Sequence, residues 1–390
     1  MKYYLSLLFI CVGFSASLYS QRQPDFAGFE ISVDQDSFAD WIRKNVDDDG
    51  QMPYFDKNYT AAIRLGFFGE YANSYYLGLP WVRERIDYLI DNLLYVKDFR
   101  QKTESHSFLF IANGFSPTHI SDEVAGFGDA VANGYSLAED RPFSSFTGFR
   151  SSRRLEGTKR FVHSARLYNI GVNTSFSFGI GGTGLAKGID NLFGFKRPDG
   201  NLWSRDEAKP YPTGEVIKNI LPLVQYSLSS EVAIWTPIKR VVFQIRPEIN
   251  LGHYTDLAFG IDFGKVMNVE GVIDHLAYTD VNNPSNASVN DDDMGFSLVG
   301  GITGRAILYN YHLNGVYGKS KGNYYTFSDT RKFIYEAYVG VKLQILQKLD
   351  IIYTINTRSS EFKSAFQQRN TWGTLTFKVL FGPAGVGCFD

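Results

Sequence analysis

Apolar and polar side chains alternate one by one along most of this chain, the signature of β-strands whose two faces meet unlike surroundings. In 371–381, TWGTLTFKVLF, one parity holds Leu375, Phe377, Val379 and Phe381, and the other holds Thr374, Thr376 and Lys378. In 255–264, Leu257, Phe259, Ile261 and Phe263 alternate with Ala258, Gly260, Asp262 and Gly264. Stretches of this kind predict about twelve strands, near 26–38, 57–70, 105–116, 141–155, 160–181, 219–236, 239–252, 254–265, 295–319, 332–346, 348–361 and 369–381. Their polar parity carries charge at Arg64, Arg166, Arg246, Asp262, Lys342, Asp350 and Lys378. In a soluble sandwich such residues face water. In a transmembrane barrel they face a polar interior while their apolar neighbours face lipid. Tyr59, Phe67, Phe68, Tyr254, Tyr317 and Tyr338, near strand ends, read as interfacial girdles. One segment breaks the pattern. In 79–98, Trp81, Ile86, Leu89, Ile90, Leu93 and Leu94 recur at helical spacing and predict a short amphipathic insertion.

Composition narrows the class. The formal charge of −2 excludes a broad basic surface for nucleic acid. Two cysteines cannot build a disulfide framework. Phe 32, Tyr 24, Trp 5 and Gly 37 mark a β protein rich in rings and turns. Residues 1–21 have a lysine at position 2, a short apolar centre and small residues near Ser15-Ala16-Ser17, the layout of a secretory signal peptide. The expectation is therefore an exported all-β chain. Residues 22–390 form one antiparallel transmembrane barrel of the bacterial outer membrane, with a short helical insertion.

The most distinctive polar sequences follow odd-numbered strands, which places them on one rim. They are Val33-Asp34-Gln35-Asp36-Ser37-Phe38, Asp56-Lys57-Asn58-Tyr59-Thr60, Phe115-Ser116-Pro117, Asp140-Arg141-Pro142-Phe143 and Gly179-Ile180-Gly181-Gly182-Thr183-Gly184 leading to Asp190-Asn191. Singly, each reads as an ordinary strand start or stop. In order, with Ser360-Glu361-Phe362 before the last strand, they resemble the outer-membrane lipid A 3′-O-deacylase family.

The resemblance implies a twelve-stranded barrel and a calcium-dependent esterase that removes the 3′ acyloxyacyl chain of lipid A. Its partners would be lipopolysaccharide and the surrounding outer-membrane lipid. Asp36 matches the motif aspartate and, with Thr60, is the expected calcium ligand, since calcium takes hard oxygen donors. Asp56, Asp140 and Arg141 would shape the rim around substrate. Gln35 stands where the family has asparagine, Asp190 where it has glutamine, and Gly194 where its base histidine is expected. His119, two residues after Pro117, is the replacement base this sequence offers, with His253 second. The catalytic set to be examined is thus Gln35, Asp36, Thr60, Asp190 and His119. Two other readings stand beside it: a member of the same family that has lost its chemistry and binds lipopolysaccharide or fills a structural role, and a pore, which the many large inward residues disfavour.

Overall fold

The computed structural model describes residues 28–35, 61–94, 99–115, 144–160, 167–181, 221–234, 242–264, 295–314, 327–345, 349–363 and 370–381. Twelve strands form one closed barrel. They are β1 (Gly28–Gln35), β2 (Ala61–Phe68), β3 (Arg100–Phe115), β4 (Ser144–Arg160), β5 (Leu167–Gly181), β6 (Leu221–Ile234), β7 (Val242–Gly252), β8 (Tyr254–Gly264), β9 (Gly295–Asn310), β10 (Phe333–Ile345), β11 (Leu349–Arg358) and β12 (Asn370–Leu380). Each strand pairs antiparallel with its neighbours in sequence, and β1 closes on β12 from Gly28↔Leu380 to Gln35↔Gly373. Closure leaves no strand edge, the condition for a sheet in a solvent that offers no hydrogen bonds.

All the anticipated strands are present, with several shifts of boundary, among them β4 running on to Arg160 and β11 ending at Arg358. β3 begins at Arg100, and β9 stops at Asn310 instead of continuing to 319. There the chain turns into α2 (Tyr311–Asn314). The Asn310 amide donates to Asn314 Oδ1 at 3.1 Å, and the His312 amide donates to Asn310 Oδ1 at 3.0 Å. The β7–β8 turn needs a glycine: Gly252 sits at φ 139°, and a Cβ there would lie 2.1 Å from the Val224 carbonyl oxygen.

The two parities separate as the alternation predicts. On β8, Leu257, Phe259 and Ile261 are exposed while Ala258 and Asp262 are buried. Inside, charges meet partners from neighbouring strands. Arg246 bonds Asp262 at 3.0 Å and Glu248 at 2.8 Å. Arg305 bonds Glu248 at 2.9 Å, Asp256 at 2.8 Å and Glu336 at 2.7 Å. Lys342 meets Asp350 at 2.8 Å. Nearer the rim, Leu109, Ile111, Phe146, Leu223 and Tyr311 pack together across the lumen. Opposite walls therefore touch, and the described interior is filled rather than open.

The girdle expectation fails for Phe68, Tyr254 and Tyr338. All three have inward parity: Phe68 and Tyr338 are buried, the Tyr254 hydroxyl is buried, and the Tyr338 hydroxyl donates to Asp262 at 3.1 Å. A position near a strand end does not set which face a residue takes; register does. Tyr59 and Tyr317 lie outside the described residues. The outward rings are instead Phe149, Phe178, Phe259 and Phe333, with Phe67, Phe108, Phe149 and Phe110 in edge and stacked contact along β2–β4.

The expected helix exists as α1 (Leu79–Leu93), and it packs through its polar face rather than its apolar stripe. Its buried residues are Pro80, Arg83 and Asp87, whereas Trp81, Leu89 and Leu93 are exposed. Arg83 donates to Ser151 Oγ at 3.0 Å and to the Ser152 carbonyl at 2.7 Å. Asp87 accepts from Thr174 at 2.9 Å and from Tyr226 at 3.0 Å, and lies 3.2 Å from Arg153. Ser151, Arg153, Thr174 and Tyr226 share the parity of lipid-facing Phe149, Phe178 and Val224. α1 therefore lies against the outside of the wall.

At the seam, Arg64 on β2 pairs with Asp34 on β1 and donates to Ser32 Oγ at 3.1 Å, while Ser32 bonds Thr376 on β12 at 2.9 Å. Breaking a buried pair strands the remaining charge and costs about 3–5 kcal/mol, while replacing both partners by apolar residues costs far less. Asp34→Ala should accordingly lower the urea midpoint of the refolded barrel strongly, and Asp34→Leu with Arg64→Met should recover most of the loss. Equal midpoints for the wild type and Asp34→Ala would show that the pair contributes nothing to closure.

Candidate lipid-facing rim

The rim that follows odd strands is built by the ends of β1, β3, β5, β7, β9 and β11. With both termini at the opposite end, this rim faces outward in the usual orientation of an even-stranded bacterial barrel. Gln35 is the one member of the expected catalytic set within the described residues. It ends β1, opposite Ala61 on β2 and Gly373 on β12, and it is half-buried. Its parity is that of Ile31 and Val33, on the side of the wall that meets lipid. Asp34 has the opposite parity, is buried, and is committed to Arg64. Asp36, Thr60, Asp190, His119, Asp56, Asp140 and Arg141 lie outside the described residues.

His253, the second candidate base, has a different occupation. In the turn between β7 and β8, its Nδ1 sits 3.1 Å from the Val224 carbonyl, which forces that nitrogen to donate. The ring stacks on Phe146, with centroids 5.0 Å apart and planes at 13°, and it meets Tyr311 and His312 edge-on. The Phe146 amide is in turn held by Asn113 Oδ1 at 3.0 Å. This is a packed plug beneath the rim, not a base exposed to a lipid ester. Burial pushes the imidazole down to about 4; the Arg150 guanidinium adds to the shift and the Val224 carbonyl opposes it.

Packing also explains part of two rim motifs. A Cβ on Gly179 would lie 2.8 Å from the Phe146 ring, and one on Gly181 would lie 2.8 Å from the Tyr311 hydroxyl. The glycines at the end of β5 thus clear space for the plug, and Gly182 and Gly184 lie outside the described residues. Ser360-Glu361-Phe362 is similarly internal: Glu361 accepts from Arg358 and Asn310, both at 3.2 Å, and Phe362 packs on Leu313. Sequence reasoning singled out Arg246 and Asp262 but missed their linked partners Glu248, Asp256, Arg305, Glu336 and Arg358, for which the only signal was charge recurring at inward parity. Among the described residues, no group of three or more His, Cys, Asp or Glu side chains could hold a metal ion.

Comparison with known proteins follows the same lines. The family model described as "Outer membrane protein LpxR" matches residues 248–381, from Glu248 on β7 to the end of β12. LpxR from Salmonella typhimurium is similar in structure, with 14% identity over 91% of this chain and 100% of that chain at a TM-score of 0.55. The NanC porin is 6% identical over 72% of this chain and 96% of its own, with a TM-score of 0.29. The transport unit of the autotransporter AIDA-I from Escherichia coli is 7% identical over 94% of each chain, at 0.30. No curated protein matches the chain. Fold and rim define a closed β-barrel of the bacterial outer membrane. Within that class, residues 248–381 are similar to the LpxR family model, and the barrel shares its fold with LpxR from Salmonella typhimurium. The family-model match falls in the C-terminal part of the chain, where the rim motifs are fewest.

The buried His253 has a readable pH consequence. Its folded pKa lies below the unfolded value, so the unfolded chain binds the extra proton and stability is lost as pH falls. The loss should develop between about pH 6.5 and 4 and reach about 3 kcal/mol. His253→Phe should flatten that part of a plot of unfolding midpoint against pH. An unchanged slope would assign the acid sensitivity elsewhere.

Proposed function

We propose that this protein is an ester hydrolase that removes the 3′ acyloxyacyl chain of lipid A at the outer end of the barrel wall. The match of residues 248–381 to the LpxR family model, on a barrel of the same fold, carries the reading. Two features of the geometry support it. The filled lumen leaves chemistry at the rim, rather than conduction, as the work for the conspicuous polar sequences. Lipid A lies in the leaflet outside the wall, so an attacking group must reach it from the lipid side, where the parity of Gln35 directs a side-chain amide.

Hydrolysis needs a base to take a proton from water and donors to steady the tetrahedral oxyanion. In this reading Gln35 supplies an amide donor, His119 serves as the base, and Asp190 lies beside the attacking water. Asp56, Asp140 and Arg141 frame the sugar and phosphate groups of the substrate. Calcium is the proposed cofactor, with Asp36 and Thr60 as the chain's donors, a carboxylate and a hydroxyl suited to a hard cation. When bound it would polarise the ester carbonyl. Asp34, two positions before Asp36, is not part of that set, because it is paired with Arg64.

Expression of the wild-type chain in a Gram-negative host should yield lipid A lighter by the 3′ acyloxyacyl group by mass spectrometry. Asp36→Ala and His119→Ala should each reduce turnover by about 10²–10⁴-fold, the range for loss of an acid–base group. Chelation of calcium before the assay should reproduce the Asp36→Ala result. Unaltered lipid A from a host with abundant, heat-modifiable, folded barrel would exclude the activity.

A further inference from the structure

The connection between β2 and β3 is long for the end of the barrel that carries the termini. It runs through two 3-10 turns, Glu70–Asn73 and Tyr75–Leu77, into α1. Its polar side is clamped to the outer wall. Arg153 on β4 bridges Asp87 at 3.2 Å and Asp91 at 2.7 Å, and Glu104 on β3 lies 3.1 Å from the same guanidinium. Below this clamp, Leu94 and Phe99 pack on Leu155, Ile170 and Val172, which also have outward parity. A polar patch of wall, including Ser151, Arg153 and Thr174, is thereby covered at a level where the same strands otherwise present rings and aliphatic chains to lipid.

What α1 presents in exchange is mainly apolar and aromatic, interrupted by exposed Glu84, Arg85 and Asn92. Trp81 is 43% exposed, Tyr88 67%, Leu89 66% and Leu93 71%, with Tyr71, Tyr75 and Tyr76 at 52%, 71% and 97%. Arg85 lies over the Trp81 ring, 5.6 Å from its centre. Helices with this mixture of Trp, Tyr, Leu and a basic residue sit in the membrane interface, rings at headgroup level and aliphatic chains deeper. The exposed face continues outward into the lipid-facing band of Phe149, Phe178 and Val224 on β4–β6; α1 lies on β4 and β5 and reaches β6 through Tyr226. That continuity identifies the occupant as lipid.

We propose that Glu70–Leu93 is a membrane-seated collar, clamped to the wall through Arg83, Asp87 and Arg153, with Trp81, Tyr88, Leu89 and Leu93 embedded in phospholipid of the periplasmic leaflet. The collar works independently of the rim chemistry. It fixes the depth of the barrel from below and replaces a polar region of wall with one that lipid solvates.

The test is nitroxide accessibility on the full mature chain, refolded in phosphatidylethanolamine–phosphatidylglycerol vesicles in a Cys388→Ser background. Labels are placed singly at Leu89→Cys and Leu93→Cys, with Phe178→Cys as the lipid reference and Lys363→Cys as the water reference, each variant checked for a heat-modifiable folded band. At positions 89 and 93, oxygen collisions should be within twofold of those at 178, and collisions with a neutral nickel chelate at least fivefold below those at 363. Nickel collisions equal to those at 363 would place the face in water and overturn the proposal. Low collisions with both reagents would mean that protein, a second copy or another chain, covers it, and would overturn it equally.

Discussion

Hydrocarbon offers a backbone amide nothing to bond to, and this fold is organised around that constraint. Pairing β1 with β12 removes the last free edge. Once the backbone is satisfied, side chains are sorted by register alone, apolar outward and polar inward. The inward charges then face the same problem as the amides. An ion taken from water without a partner costs several kcal/mol, more than any one surface contact returns. The observed answer is a shared network: Arg305 serves three carboxylates, and Glu336 is held by both Arg305 and Arg358. Those acids are committed to holding the wall, so the linked charges of β7–β11 act as a scaffold.

The helix α1 obeys the same constraint from the opposite side. In a water-soluble protein an amphipathic helix turns its apolar stripe to the core. Here the neighbouring wall is polar and the surroundings apolar, so Arg83 and Asp87 face in while Leu89 and Leu93 face out. The hydrophobic spacing announced the helix correctly, yet the usual rule for choosing the buried face gives the wrong answer in a membrane.

Alternation in 255–264 and 371–381 exposed both the barrel and its inward charges, because a period of two leaves a residue no third choice of face. Arg64, Arg246, Asp262, Lys342, Asp350 and Lys378 were all legible in this way. Tyr338 was not, because its ring resembles a girdle residue until register shows the hydroxyl on Asp262. His253 was equally opaque: composition marks a titratable group, and only the stacked Phe146 shows that it is structural. At the rim, order and spacing of short motifs pointed to a family. Which of Gly179, Gly181 and Glu361 served packing became visible only from the side chains they touch.

The account places substrate against the outside of the wall at the end of β1. A photo-crosslinking side chain at Gln35, in intact cells, probes that placement directly. Lipopolysaccharide should be captured at Gln35 and not by the same probe at Phe381, beside Phe29 at the opposite end of the wall. Capture at Phe381 but not at Gln35, or at neither while both proteins are folded, would contradict the account.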